Sequence, residues 1–220
     1  MDLDGEFRMR QTSKLLLAAV LAGMSGAAQA TAIFTLGNNP QQPGEENILF
    51  STQQTGTSIA GVTNQSNTGV LFTSTQTLST GGVGQAFLQP VAPATLITGM
   101  VTFSVPGHTF TDYIFNPMLS GGPGGAGTST VTANLLGEAP QTFTLPINPG
   151  NNFLTITTSG GELLTSVSIV SATGFSQYQQ PRVSGISGVT PPPPVPEPAS
   201  LALLGSALAG FGFFSRRHRG

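Results

Sequence analysis

Residues 97–105 read ITGMVTFSV. In an extended chain successive side chains point to opposite faces, so Ile97, Val101, Phe103 and Val105 fall on one side and Thr102 and Ser104 on the other. That period of two belongs to a half-buried strand and not to a helix. Residues 163–169 repeat it, with Leu163, Val167 and Ile169 sharing a face. Ten further short segments fit strands: 32–36, 46–51, 57–63, 69–74, 83–88, 110–115, 129–136, 141–145, 152–158 and 177–184. They are separated by Gly, Pro, Asn and Ser, and no stretch of ten or more residues between them shows the helical period. The expected fold is therefore all-β, an antiparallel β-sandwich of jelly-roll type over residues 31–188. It is preferred to a barrel because no strict internal repeat is present.

Composition narrows the function. Charged residues make up 7% of the 220, against about 25% in an average soluble protein. Of the seven Lys and Arg, Arg8, Arg10 and Lys14 lie near one end and Arg216, Arg217 and Arg219 near the other, leaving Arg182 alone between them. Against it stand Glu45, Glu46, Asp112, Glu138 and Glu162. A domain with one cation cannot neutralise a phosphate backbone, which excludes nucleic acid as a partner. The absence of cysteine removes disulfides, thiolate metal sites and thiol nucleophiles together.

Both ends read as addresses. Arg10 and Lys14 precede the apolar run from Leu15 to Ala22, and a Gly/Ser break then leads to Ala28-Gln29-Ala30. Basic, apolar and small-x-small regions in that order make residues 1–30 a signal peptide, cut by signal peptidase at Ala28 and Ala30. Asp2, Asp4 and Glu6 suit such a leader badly, which points to a translation start at Met9. A buried helix is the bland alternative. Toward the other end, Ala199 to Phe214 contains no charge, and as a helix it would rise about 24 Å, a little short of the bilayer core. Snorkelling arginines cover the deficit. Residues 199–215 are expected to cross the inner membrane, and 216–220, with Arg216, Arg217 and Arg219, to stay cytoplasmic. A lipid-anchor signal would end apolar and carry a small-residue cleavage cluster, and neither is present. Residues 189–198 form a proline-rich spacer, whose stretch Pro191–Pro198 would stand the domain off by roughly 25 Å as polyproline II. An SH3-type ligand would look the same but has little to meet outside a bacterium.

Pro196-Glu197-Pro198, placed directly before an apolar segment and an Arg-rich end, resembles the PEP-CTERM sorting signal of Gram-negative bacteria. The resemblance implies processing by an exosortase-type membrane protease, after a transient stay in the inner membrane. It also implies delivery to the cell surface or extracellular matrix, often in biofilm-forming organisms that make exopolysaccharide. Exopolysaccharide or other surface proteins would then be the partners.

Between the ends, reactive side chains are scarce. His108 and Asp112 lie close in GHTFTD and invite a dyad with Ser104 or Ser120, but a histidine beside a β-turn is the plainer account. Glycoside hydrolysis needs facing carboxylates. The adjacent Glu45 and Glu46 would point to opposite faces of a strand, which leaves Asp112 with Glu138 or Glu162. No Asp-rich calcium loop occurs. Gly121 to Gly127 mimics a phosphate loop without the Lys-Ser/Thr, and the alternation from Val131 to Leu135 denies it a helix. With no Trp and only Tyr113 and Tyr178, aromatic stacking on sugars is little served, although Asn, Gln and Thr still offer hydrogen bonds. Tyr178 and Arg182, flanked by Gln177 and Gln179 in SQYQQPR, form the one candidate ligand patch, with a surface edge strand as its bland reading. The sequence thus favours an exported, surface-sorted structural or interaction protein with no catalytic residues, metal or cofactor. The alternatives are a secreted polysaccharide-active hydrolase and a weak carbohydrate-binding module.

Overall fold

Every regular element among the described residues is a β-strand. The structure, a computed structural model, describes residues 31–37, 42–119 and 126–188. The chain divides into two compact units, Met1–Ile186 and Ser187–Gly220. Of the second unit only Ser187 and Gly188 are described, as a two-residue strand. The expected signal peptide, spacer, membrane segment and basic tail all lie outside the described residues, among which no helix is long and apolar enough to cross a membrane.

The first unit contains β1 (Thr31–Leu36), β2 (Glu46–Phe50), β3 (Thr55–Thr63), β4 (Gly69–Thr80), β5 (Gly84–Gln85), β6 (Phe87–Pro90) and β7 (Val101–Ser104). It continues with β8 (His108–Thr109), β9 (Asp112–Met118), β10 (Gly127–Leu135), β11 (Gln141–Ile147), β12 (Leu154–Ser159), β13 (Leu164–Ser171) and β14 (Gln177–Ser184). The main path runs β1-β12-β9-β14-β2-β3-β4-β7-β13-β10-β11, with β5 against β2 and β6 bridging β14 and β4. The ladders along it are antiparallel. At its two extremes β1 and β11 approach through side chains. Phe34 stacks on Phe143 with ring centroids 5.3 Å apart, and the Ala32 N–H donates to Gln141 Oε1 at 3.0 Å.

The period-two reading fixes the core. Ile97, Val101, Phe103 and Val105 are all buried, although only Val101–Ser104 is strand and Ile97 forms an isolated bridge to Phe175. In β13 one assignment shifts, since Leu164 and not Leu163 joins Val167 and Ile169 in the core. A bulge explains it. Leu135 faces Leu164 while Asn134 faces Ser166, so Thr165 is an extra residue that reverses the parity of the strand before it. The segment 83–88 divides into β5 and β6, and 69–74 extends to Thr80.

β14 changes partner part-way along. Tyr178 and Gln179 pair with β6, Arg182 and Val183 pair with β2, and the register slips between Gln179 and Arg182. Pro181, which has no N–H to give a ladder, sits at that break. Gln180 before it takes the left-handed conformation, φ 51°, and its N–H donates to the Ala86 carbonyl at 3.2 Å.

Aromatic rings form the centre of the core. Phe103 stacks on Tyr113 at 4.1 Å and Phe115 on Tyr178 at 5.1 Å, while Phe72 meets both Phe103 and Tyr178. The two phenols, buried without access to water, share one hydrogen bond of 2.6 Å. Burial holds both well above the usual tyrosine range. Removing one hydroxyl leaves its partner buried and unsatisfied, whereas removing both leaves no orphan. Tyr113→Phe or Tyr178→Phe alone is therefore expected to cost about 1–3 kcal/mol in urea unfolding, and the double variant less than the sum of the two. Additive losses would show that the phenols do not depend on each other.

Candidate functional site

The structure corrects the expected ligand patch. Tyr178 is 2% exposed and sits inside the aromatic core, so it has no face to offer a ligand. The strand that carries it is not an edge, because β14 runs between β9 and β2. Residues flanking a strand interior alternate between faces, which separates Tyr178 on the core side from Gln177 and Gln179 on the other. Arg182 falls beyond the bulge and forms an ion pair with Glu45 at 3.2 Å, both side chains being largely buried.

That pair lies on the outer face of the strands β12, β9 and β14. Asp112, Ile114 and Asn116 of β9 point there, opposite the core-facing Tyr113 and Phe115, and all of them are buried. Burial on both faces has a visible source. The Thr155 hydroxyl of β12 donates to the Gly37 carbonyl at 2.8 Å, and Glu45 meets Arg182 of β14. Both described ends of the β1–β2 connection are thus fastened to this face. Glu45 also accepts the Gln42 N–H at 2.8 Å. Its neighbour Glu46 turns the other way and accepts from the Gln65 and Ser66 N–H groups at 3.0 and 2.6 Å. Burial would raise the Glu46 carboxyl, but those bonds outweigh it and leave the group below its usual range.

Asp112 is the unusual member of this face. It is 1% exposed, faces Ser184 across the β9–β14 ladder, and neither carboxylate oxygen makes a well-formed hydrogen bond. Burial and the negative charge of Glu45 push its pKa up to about 7, against the opposing pull of Arg182 and the Ser184 hydroxyl. The carboxylate whose charge acts on Asp112 is thus Glu45, which the sequence reading weighed only against Glu46, and not Glu138 or Glu162. Glu138 is exposed beside the Gly137 turn between β10 and β11.

The other candidates separate as well. His108 closes a turn in which its N–H donates to the Val105 carbonyl at 3.0 Å, with Pro106 and Gly107 (φ 73°) at the central positions, as a type II turn requires. Its Nδ1 lies 2.9 Å from the Pro106 carbonyl, while Asp112 is engaged electrostatically by Glu45 and Arg182. Ser104 sits on β7 opposite Ser166, and Ser120 lies outside the described residues. So does most of the glycine run, and Val131–Leu135 after it is strand. No group of three or more His, Asp and Glu among the described residues is placed to hold a metal ion.

A groove of about 640 Å³ opens elsewhere on the first unit. Its floor is a row of polar side chains. Thr55 of β3 pairs with Ser79 of β4, Ser79 pairs with Gln89 of β6, and Gln177 follows beside it on β14. Gln53, the segment 90–92, Ala94, Thr95 and Ser176 complete the lining, which contains no charged and no aromatic residue.

Asp112 makes stability depend on pH in a direction opposite to most carboxylates. Below about pH 4 the group is protonated in both folded and unfolded chains and contributes nothing. Between about 4 and about 7 only the unfolded chain loses the proton, so stability falls as pH rises, and above about 7 the loss is complete. At about 1.4 kcal/mol per pKa unit the ceiling is roughly 4 kcal/mol. Asp112→Asn is expected to match the parent at pH 4 and exceed it by roughly 1–3 kcal/mol at pH 8 in urea unfolding. Equal stabilities at pH 8 would show that the buried carboxyl is not strained by its charge.

A mutant of a family 29 carbohydrate-binding module is similar over 72% of this chain and 90% of its own, at 13% identity and a TM-score of 0.26, an overlap too loose to argue from. No curated protein matches the chain. Residues 194–217 match the family model of the PEP-CTERM protein-sorting motif, and Pro196, Glu197 and Pro198 fall within them. The chain therefore carries a PEP-CTERM sorting motif, the mark of a protein sorted to the surface by way of an exosortase.

Proposed function

We propose that this protein is a surface-sorted interaction protein whose β domain, a sandwich of jelly-roll type, performs no catalysis and is cargo for the export route. The sorting motif at 194–217 carries the reading. In this account residues 1–30 lead the chain out and are removed after Ala30. The apolar stretch 199–215 then holds it in the inner membrane, with Arg216, Arg217 and Arg219 on the cytoplasmic side. Proline disfavours helix, so the sequence around Glu197 suits a membrane protease that needs accessible backbone. Cleavage releases the domain to the cell surface or matrix.

The chemistry of the β domain supports a non-catalytic role. Asp112, whose burial lifts its pKa to about 7, is 1% exposed beside Glu45 and Arg182. A general acid must reach the bond it protonates. His108 sits in a turn with its ring against the chain.

Two measurements test the account. With Pro196, Glu197 and Pro198 all changed to alanine, cell fractionation is expected to find the protein exported but retained in the inner membrane. Normal arrival at the surface would overturn the sorting reading. For the absence of catalysis, incubation of the purified protein with extracellular polysaccharides is expected to release no reducing ends. Turnover abolished by changing Asp112, Glu138 or Glu162 to alanine would establish a hydrolase instead.

A further inference from the structure

We infer that the groove over β3, β4, β6 and β14 is a binding site for an uncharged polysaccharide chain, recognised through side-chain amides and hydroxyls.

Its floor is a line of hydrogen-bonding groups, one from each successive strand. Thr55, Ser79 and Gln89 are successive cross-strand partners, and Gln177 lies one residue before Tyr178, the partner of Leu88, on β14. With strands about 4.8 Å apart, the line extends roughly 14 Å, long enough for a short run of sugar rings. The side chains of Gln53, Thr55, Ser79 and Gln89 make no hydrogen bond within the described protein. They therefore keep their donors and acceptors for a ligand. Each amide offers both roles, which suits hydroxyl groups that also donate and accept.

The walls are preformed, which lowers the ordering cost of binding. The Ala94 N–H donates to the Val91 carbonyl at 3.1 Å and closes the turn above the floor. Beyond it Gln76 clamps the chain, its Nε2 donating to the Leu96 carbonyl at 3.1 Å and its Oε1 accepting from Thr98 and Gly99. On the opposite side, Gln54 fixes the turn that presents Gln53, bonding Ala60 through both amide atoms.

The same features select the ligand class. An anionic polymer needs cations, and the one arginine of the β domain is held by Glu45 outside the groove. An extended peptide would add to a free strand edge, but β6 at the centre of the floor has β4 on one side and β14 on the other. A flat apolar ligand would need aromatic walls, and there are none. Hydroxyl-rich, uncharged chains are what remains.

The inference rests on the surface-sorting reading only for access to such polymers, and the test separates the two. The full chain, purified in detergent, is run through native gels containing dextran or galactomannan as uncharged polymers, or alginate as a polyuronate. Retardation is expected with at least one uncharged polymer and not with alginate. Gln53→Ala with Gln89→Ala should weaken that retardation by about tenfold or more without moving the unfolding midpoint, while Thr130→Ala on the exposed face of β10 leaves it unchanged. Three results would each overturn the inference: no retardation by either uncharged polymer, equal retardation by alginate, or a double glutamine variant that binds like the parent. Binding retained by a chain whose sorting motif has failed would remove the location and keep the site.

Discussion

The contact on which the domain depends is between rings, Phe103 against Tyr113 and Phe115 against Tyr178. Phe115 and Tyr178 join the neighbouring strands β9 and β14, whereas Phe103 comes from β7, well separated from both along the sheet path. The stack of Phe103 on Tyr113 therefore brings distant parts of the sheet together. A core that places two phenols in its centre must satisfy both, and the mutual bond between Tyr113 and Tyr178 does so without water. With no cysteine and few ion pairs available, apolar burial of this kind is the main source of cohesion.

The sequence made the strands legible because one face of each strand is buried and the other is not. Residues 177–184 coincide with β14, and Ile97, Val101, Phe103 and Val105 all turn inward as their spacing requires. Where reading by alternation failed, an inserted residue or a covered second face was responsible. Thr165 shifts the parity of β13, so Leu164 takes the place expected of Leu163. In β9 every residue from Asp112 to Pro117 is buried, and a strand buried on both faces shows no period to read.

The site was less legible, for a related reason. Tyr178 looked exposed because its neighbours are glutamines, yet those neighbours lie on the opposite face of the strand. Arg182 and Glu45 meet across most of the chain, a contact that no local spacing encodes. The groove is assembled from ordinary residues, Thr55, Ser79, Gln89 and Gln177, none of which is unusual until register places them in one line. Scarcity of charge was visible from composition; where the remaining polar groups converge required the pairing of strands.

Where β1 approaches β11, the margins of the sheet are closed by side chains. A strand at the margin of a sheet is a template on which another molecule can grow, and proteins crowded together at an envelope are at special risk of fibre formation. Here a glutamine amide occupies the Ala32 N–H and two phenylalanines seal the seam. Copies gathered at high local density would then remain separate particles.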